Sequence, residues 1–456
     1  MSGILAAPVK TELGRLGVSC APVMSIAWPD ATRRYCGQLG GVSSATNGHY
    51  LARVLRWGTV TRRVSDADGK LQPVEMKVLL DDGDKALSKL ATGAYGNSLE
   101  GSAVTISLAF TRLDSGIAAA QWPCLFAGLV EQIDFGEGRT VELTLRANDA
   151  PLRRSVPKRA FTFGDWPLAA SEGDSAPLGT YCPILYGRWD ARSAGGGGSL
   201  PTWNVDASSG GNNRWLIMAG ACAAVLAVYD NGTLVKPSTY TVERLTRNGR
   251  LYTLVKKNTG RWTGPVTVDA ESLGDSAAGT GTLYENPVDQ MCSWLDNWVY
   301  GDYASGAWST TAAPINAAYQ AAAALQFTEL GIRGSLRLSE ARTAMDVMDE
   351  WCASFPFAKL FWTFRNGSAE LAIRCEDWRV YGYPTDPVFR VWPEDEGQML
   401  TVRRERRDRL DRINVRFLVS ARSGGPQRAL QVRDLGLSFS EAAEDMTMAC
   451  GMASLG

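Results

Sequence analysis

In the first 160 residues, apolar side chains recur at every second position. Val74, Met76, Val78 and Leu80 form one such set; Val104, Ile106, Leu108 and Phe110 a second; Val141, Leu143 and Leu145 a third. A period of two turns one face of a strand toward a core. Asp68-Gly69, Asp82-Gly83, Gly93 with Gly96, and Gly136 to Gly138 separate these runs as turns. Short strands so spaced predict one antiparallel barrel or sandwich over 45–150, with the three sets on a common core and a short helix near Asp84 to Leu90.

The pattern then changes. Segment 161–285 carries Gly-rich loops at Ala194–Ser199 and Ser208–Asn213. Between Ala223 and Val268 it reads as hairpins, because Asp230-Asn231-Gly232 and Asn248-Gly249 are strong turn signals. The long apolar run Trp215–Tyr229 reads as buried strand, since a membrane helix needs about 20 residues. Val266 and Val268 close the segment as a strand. In 286–395 the period lengthens. Pro287–Tyr300 places Val288, Met291, Cys292, Leu295 and Val299 on one helical face. Ala317–Leu330 is alanine-rich and helical. Ser339 is read as the cap of a third helix with the stripe Ala341, Met345, Met348, Cys352 and Phe355. Phe361–Phe364 and Leu371–Ile373 flank the hairpin pair Asn366-Gly367. In 396–456, Ile413, Val415, Phe417 and Val419 alternate as another strand, and the Ala/Met-rich end reads either as continuing beyond Gly456 or as packing on a partner. These readings give a mainly β, multidomain protein with α+β inserts. Its segments are a β-domain at 1–160, a hairpin-rich one at 161–285, an α+β one at 286–395 and a β segment at 396–456.

Composition narrows the chemistry. A net charge of −1 gives no global attraction to nucleic acid or anionic membrane. The start Met-Ser-Gly-Ile-Leu-Ala-Ala-Pro has no basic, then apolar, secretory pattern. Nine widely spaced cysteines lack paired metal-ligand spacing and read as free, mostly buried thiols in a reducing compartment. The one histidine, His49, lies in a turn leading into a strand, and no Gly-x-Ser-x-Gly elbow supports a triad. The glycines at 195–198 do not open a helix and so lack the context of a phosphate loop. Asp346, Asp349 and Glu350 read as a solvated helix face, not a glycosidase pair. No catalytic, cofactor-binding or metal residue is therefore assigned, no cofactor is expected, and the chain is read as not an enzyme.

Two features point to interfaces. Arg403, Arg404, Arg406, Arg407, Asp408, Arg409 and Asp411 lie in the densest charge run. Its mixed signs suit an exposed salt-bridge network or a polar subunit interface better than DNA. Trp166, Trp189, Trp203 and Trp308 lie among Gly, Ser and Thr, where aromatics can anchor a neighbouring subunit.

Phrases along the chain resemble bacteriophage tail-tip proteins, the baseplate hub and distal tail family. These are Tyr50-Leu51-Ala52-Arg53-Val54, Gly58-Thr59-Val60-Thr61-Arg62, Leu80-Asp81-Asp82-Gly83-Asp84, Gly101–Leu108 and Phe126–Val130 with a final strand ending in Asp149. Pro183-Ile184-Leu185-Tyr186-Gly187, Tyr284–Asp289, the helix and Gly367 hairpin, and Asp411–Phe417 continue the series in the same order, over about three quarters of the chain. The resemblance implies antiparallel barrel or sandwich domains of tail-hub type plus a helical–hairpin domain. It also implies a ring, hub or adaptor, that joins tail tube to tip and fibres and takes part in host attachment and genome delivery. Partners would be the chain itself, as a homotrimer with a homohexamer as alternative, and the tube, tape-measure, tip and fibre proteins. DNA would pass only in transit, no segment would span a membrane, and the protein would be assembled in the bacterial cytoplasm into the virion tail. A glycan-binding protein or a cell-wall hydrolase of the tail is the competing reading.

Overall fold

The computed structural model describes residues 20–38, 41–44, 48–60, 71, 73–92, 99–110, 121–136, 139–158, 160, 179–190, 199–205, 213–247, 250–273, 283–304, 307–309, 311–355, 358–365 and 367–375, and the strands 412–419, 426–433 and 445–449. The fold is mainly β, in several sheets with few helices. It divides into two compact units. The first holds 1–153 with 314–320 and 358–374; the second holds 154–313, 321–357 and 375–456.

The first unit is built on β1 (Cys20–Ala27), β2 (Thr32–Cys36), β3 (Val42–Ser44), β4 (Gly48–Ala52), β5 (Val54–Trp57), β6 (Glu75–Asp81), β7 (Ala103–Phe110), β8 (Cys124–Gly136) and β9 (Thr140–Arg146), with helix α1 (Ala86–Thr92). They pair in the order β3-β4-β2-β1-β7-β8-β9-β6-β5. β4 runs into β5 through the single residue Arg53. The Arg53 amide donates to Cys36 O of β2 at 3.0 Å, and its carbonyl accepts from Asp81 N of β6 at 2.7 Å. One strand therefore pairs with both ends of the series and closes it into a barrel, which leaves β3 as an edge.

The alternation holds on β6 and β9. Val74, Met76, Val78 and Leu80 are buried, as are Val141, Leu143 and Leu145. The outward positions of these strands carry charge, with Lys77 Nζ 2.7 Å from Glu142. On β7 the expected set breaks. Val104, Ile106 and Phe110 are buried, but Leu108 is half-exposed and Ala109 takes its inward place. The alternation fails where β8 carries one extra residue, Leu125, between the partners of Ile106 and Ser107, while β7 stays in unbroken register with β1. The expected short helix is α1, and its first amides are held by the buried Asp82.

The second unit contains β10 (Ser155–Val156), β11 (Ile184–Trp189), β12 (Leu200–Pro201), β13 (Trp203–Asn204), β14 (Arg214–Ala219), β15 (Cys222–Asp230), β16 (Thr233–Leu234), β17 (Tyr240–Arg247), β18 (Arg250–Lys257), β19 (Val266–Leu273), β20 (Asp302–Ala304), β21 (Ala307–Ser309), β22 (Leu336–Leu338) and β23 (Arg342–Thr343). Its main sheet runs β16-β15-β19-β11-β14-β18-β17, with β12 on β19, β13 on β14 and β22 on β11. The apolar run Trp215–Tyr229 supplies β14 and β15. Leu185, Trp189, Ile217, Met218, Val228, Val255, Val266 and Val268 form the core.

The helices are α2 (Pro287–Trp294), α3 (Ala317–Glu329) and α4 (Ala344–Ser354). All five residues of the expected α2 face are buried, but so are Gln290, Trp294 and Trp298. The last turn, Leu295–Val299, widens to a π-helix in which Tyr300 N donates to Leu295 O. The third helix corrects the sequence reading. Its cap is Thr343, whose hydroxyl accepts from Asp346 N at 3.1 Å, and not Ser339. Arg342-Thr343 is held in strand form by pairing with β10, so the helix starts later and its buried stripe becomes Ala344, Val347, Met348, Trp351 and Cys352.

The hairpin β24 (Ala358–Arg365) and β25 (Ser368–Cys375) follows, with its residues up to Arg374 in the first unit. There Phe364 packs on Phe126 of the barrel with ring centroids 5.3 Å apart, and Thr105 Oγ1 donates to Gly367 O. Strands β26 (Arg412–Val419), β27 (Pro426–Arg433) and β28 (Asp445–Ala449) form a separate sheet in the order β27-β26-β28. The expected strand at 413–419 is β26.

Candidate functional site

The charged interface run, Arg403, Arg404, Arg406, Arg407, Asp408, Arg409 and Asp411, lies outside the described residues, as do Trp166 and the glycines at 195–198. Trp189 is no surface anchor. It is 2% exposed and its indole donates to Tyr186 O at 3.0 Å. Trp203 is half-buried on β13. His49 lies exposed on β4. On α4, Asp346 is exposed, while Glu350 is half-buried and paired with Arg342 at 2.7 Å. Cys36, Cys222, Cys292, Cys352 and Cys375 are buried and in no disulfide, and Cys20 is exposed. Burial pushes the Cys222 thiol up to about 12. Among the described residues no group of three or more His, Cys, Asp or Glu could hold a metal ion.

The most developed site lies where chain segments distant in sequence meet in the second unit. Asn286 caps α2, with Oδ1 accepting from Val288 N at 2.9 Å and Pro287 filling the first helical position, which needs no amide. The same side chain donates through Nδ2 to Ala324 O and Thr328 Oγ1 of α3, at 2.8 and 3.1 Å. One turn on, the buried Gln290 donates through Nε2 to Tyr284 O at 2.6 Å and Gly334 O at 2.7 Å. Gly334 N returns to Glu285 O at 2.8 Å.

Gly187 of β11 completes the joint. Its φ is +79°, and a Cβ there would lie 2.5 Å from Gly334 O and 2.8 Å from Gln290 Nε2. Only glycine fits that approach. The α3 end closes the other side, with Gly331 N donating to Thr328 O and Ile332 N to Phe327 O.

Beside the joint opens a cleft of ≈ 560 Å³ lined by Leu283, Tyr284, Glu285, Asn286, Asp289 and the turn Gly331–Arg333 with Thr328. Arg333 and Glu285 pair across it at 3.3 Å. Tyr284 stacks obliquely on buried Tyr186, with centroids 6.3 Å apart. The cleft offers apolar contact from Leu283 and Ile332 and hydrogen bonding from its acidic wall. The sequence singled out both 183–187 and 284–289, but nothing in it brought them together. Gln290 carried no signal beyond lying one turn inside the helix.

The barrel has a second such meeting. Arg53 reaches Asp84 with both terminal nitrogens, Nη1 to Oδ1 at 2.9 Å. The Arg53 guanidinium and the Ala86 amide hold the Asp84 carboxyl well below the usual carboxylate range. A smaller cleft of ≈ 250 Å³ lies near Asp149. There Arg146 serves three carboxylates, Glu75, Glu131 and Asp149, at 3.5, 2.9 and 2.9 Å.

No family model and no curated protein matches the chain. Among solved structures, a chain from the virion of a native gene transfer agent particle is weakly similar. It shares 13% identity, with 58% of this chain and 84% of that chain covered and a TM-score of 0.25. At that TM-score nothing about this chain's fold or role follows from the match. No helix among the described residues is long and apolar enough to cross a membrane.

Proposed function

We propose that the protein is a structural subunit of a phage tail tip or baseplate, and that it acts by assembling and not by catalysis. The observation that carries this reading is that the phrases resembling tail hubs meet in pairs. Tyr50–Val54 meets Leu80–Asp84 through Arg53, which joins Asp84 and closes the barrel. Pro183–Gly187 meets Tyr284–Asp289 through Gly187 and Gln290. Phrases picked for their order alone thus supply the fitted parts of two joints. Further support comes from the closing strand, which exposes Leu51 and Leu55 at 47% and 57%, and from the edge strand β3 beside it. Exposed apolar side chains next to an open edge suit a surface that a neighbour covers.

In this reading the chain forms a closed ring, a trimer in preference to a hexamer, that contacts tube, tape-measure, tip and fibre proteins while DNA passes through the lumen. Closed symmetry gives every copy the same neighbours. Native mass spectrometry and electron microscopy of the purified chain test it. A closed ring is expected, and a monomer at micromolar concentration or within assembled tails refutes it. Arg407→Glu is expected to block the ring and leave the monomer folded; a normal ring would make the Arg403–Asp411 run a solvated face. Release of fragments from purified cell wall by the protein would replace this reading with the hydrolase one.

A further inference from the structure

Several arginines of the second unit come with carboxylates. Arg188 of β11 has Asp190 and Glu271, Arg214 of β14 has Glu243, and Arg342 of β23 has Glu350. Arg337 does not follow the pattern. It lies at the centre of β22, between Leu336 and Leu338, which are 1% and 0% exposed, and in register with the fully buried Leu185 of β11. It makes no hydrogen bond or ion pair to any described residue. Its Nε is sealed from solvent with no acceptor, whereas its two Nη groups are not among the sealed unpaired atoms. Burial pulls its pKa below the ordinary guanidinium value, and only the exposed Glu340 acts against that.

A guanidinium remains charged at any pH the protein meets. A half-buried charge whose one described counter-charge is the exposed Glu340 is costly, and the cost falls when a closer anion arrives. Arginine's planar fork matches oxyanions, which two parallel N–H groups can grip. Strand pairing fixes the Arg337 backbone opposite Leu185, while Leu336 and Leu338 point to the other face of the strand.

We propose that Arg337 is the anchor of an oxyanion-binding site, taking a phosphate or carboxylate group supplied from outside the chain through its open Nη groups. The site does not depend on the assembly reading above and would exist in the isolated chain.

Thermal unfolding of the full chain is followed while inorganic phosphate, and separately acetate, is titrated at constant ionic strength with chloride as balance. A saturable rise in Tm of about 2–4 °C is expected for wild type at roughly ten times Kd. Arg337→Met is expected to lose that rise, and Arg337→Lys to keep a weaker one because it retains the charge without the fork. A response to phosphate alone assigns a phosphoryl ligand, and a response to both anions a general oxyanion site. No saturable response to either anion, or an equal rise in Arg337→Met, overturns the proposal.

If Arg337→Met fails to fold, the wild-type chain still decides. Modification by phenylglyoxal, mapped by mass spectrometry, should be slowed by phosphate at Arg337 and not at the exposed Arg261. Equal rates at Arg337 with and without phosphate overturn the site.

Discussion

The barrel and the sheet of the second unit handle their strand edges differently. In the barrel, Arg53 lets one continuous strand pair with β2 and with β6, which brings the two ends of the series together and leaves β3 at its margin among the described strands. In the second unit the sheet stays open. β16 and β17 are its outer strands, and the short strands β12, β13 and β22 patch its interior. Barrel strands are specified by repetition, because many inward positions each carry a part of the register. The second unit relies on single residues whose shape or hydrogen bonds have no substitute: Gly187, Asn286, Gln290 and Thr343. A protein built this way should tolerate change unevenly, and that unevenness can be measured.

The strongest test is Gly187→Ala. The backbone there is left-handed, and the new methyl would meet Gly334 O at 2.5 Å. Strain and overpacking together should cost about 2–6 kcal/mol. Gly232→Ala is the control, since its φ is +77° but nothing lies within 4 Å of the added carbon. It should cost about 1–2 kcal/mol. Hydrogen exchange read by mass spectrometry should show peptides over 184–189 and 286–299 losing protection in Gly187→Ala, with β6 and β9 unchanged. Equal effects of the two substitutions would mean that the joint does not hold the unit together.

The same contrast explains what could be read from sequence. Val74 to Leu80 and Val141 to Leu145 were legible because a strand facing one core writes its period into the chain. Leu108 was not: the alternation of β7 fails beyond Ile106, where β8 carries an extra residue that the sequence of β7 does not announce. The α4 start was misread because Ser339 and Thr343 both satisfy the local rule for a cap. What separates them is the pairing of Arg342-Thr343 with Ser155-Val156, a contact across almost half the chain. Trp189 reads as an anchor because it stands shortly before the Gly-rich loop at 194–199, yet it sits in a core assembled from six strands. At the candidate site the segments 183–187 and 284–289 were visible one by one. Their meeting depends on Gln290 and Gly334, whose roles exist only in three dimensions.

A second, smaller test sharpens the comparison from the barrel side. Asp82 is 1% exposed, and its carboxylate accepts from Leu87 N at 2.8 Å and Ser88 N at 3.0 Å. Asp82→Ala leaves those amides unpaired at the start of α1. The expected cost is about 1–3 kcal/mol. Because the barrel's register is held by β6 and β9 independently, exchange should rise over 86–92 and stay low over 75–81 and 140–146. Loss of protection across the whole barrel would show that it too hangs on one residue.

The smallest expected effect sets one carboxylate from each unit against the other. Burial raises the pKa of Asp149 in the barrel unit, with Arg146 opposing it. Burial also pushes Asp230 of the second unit upward, but the Thr263 hydroxyl, Lys257 and the amides of Thr263 and Gly264 outweigh it, and its pKa is lowered. The signs are opposite. A lowered carboxylate contributes stability that is present above the unfolded value of about 3.9 and is lost as pH falls through the folded value. A raised one costs stability at neutral pH, and that cost disappears as pH falls through its folded value toward about 3.9. Between pH 6 and pH 3 the advantage of wild type over Asp230→Asn should therefore shrink. Over the same range, wild type should gain on Asp149→Asn, and most of that gain should come above pH 3.9. Urea unfolding of the three proteins at matched ionic strength, read by exchange within each unit, separates the two trends. If both differences move in the same direction with pH, the two clusters do not hold their carboxylates in the opposite ways their geometry implies.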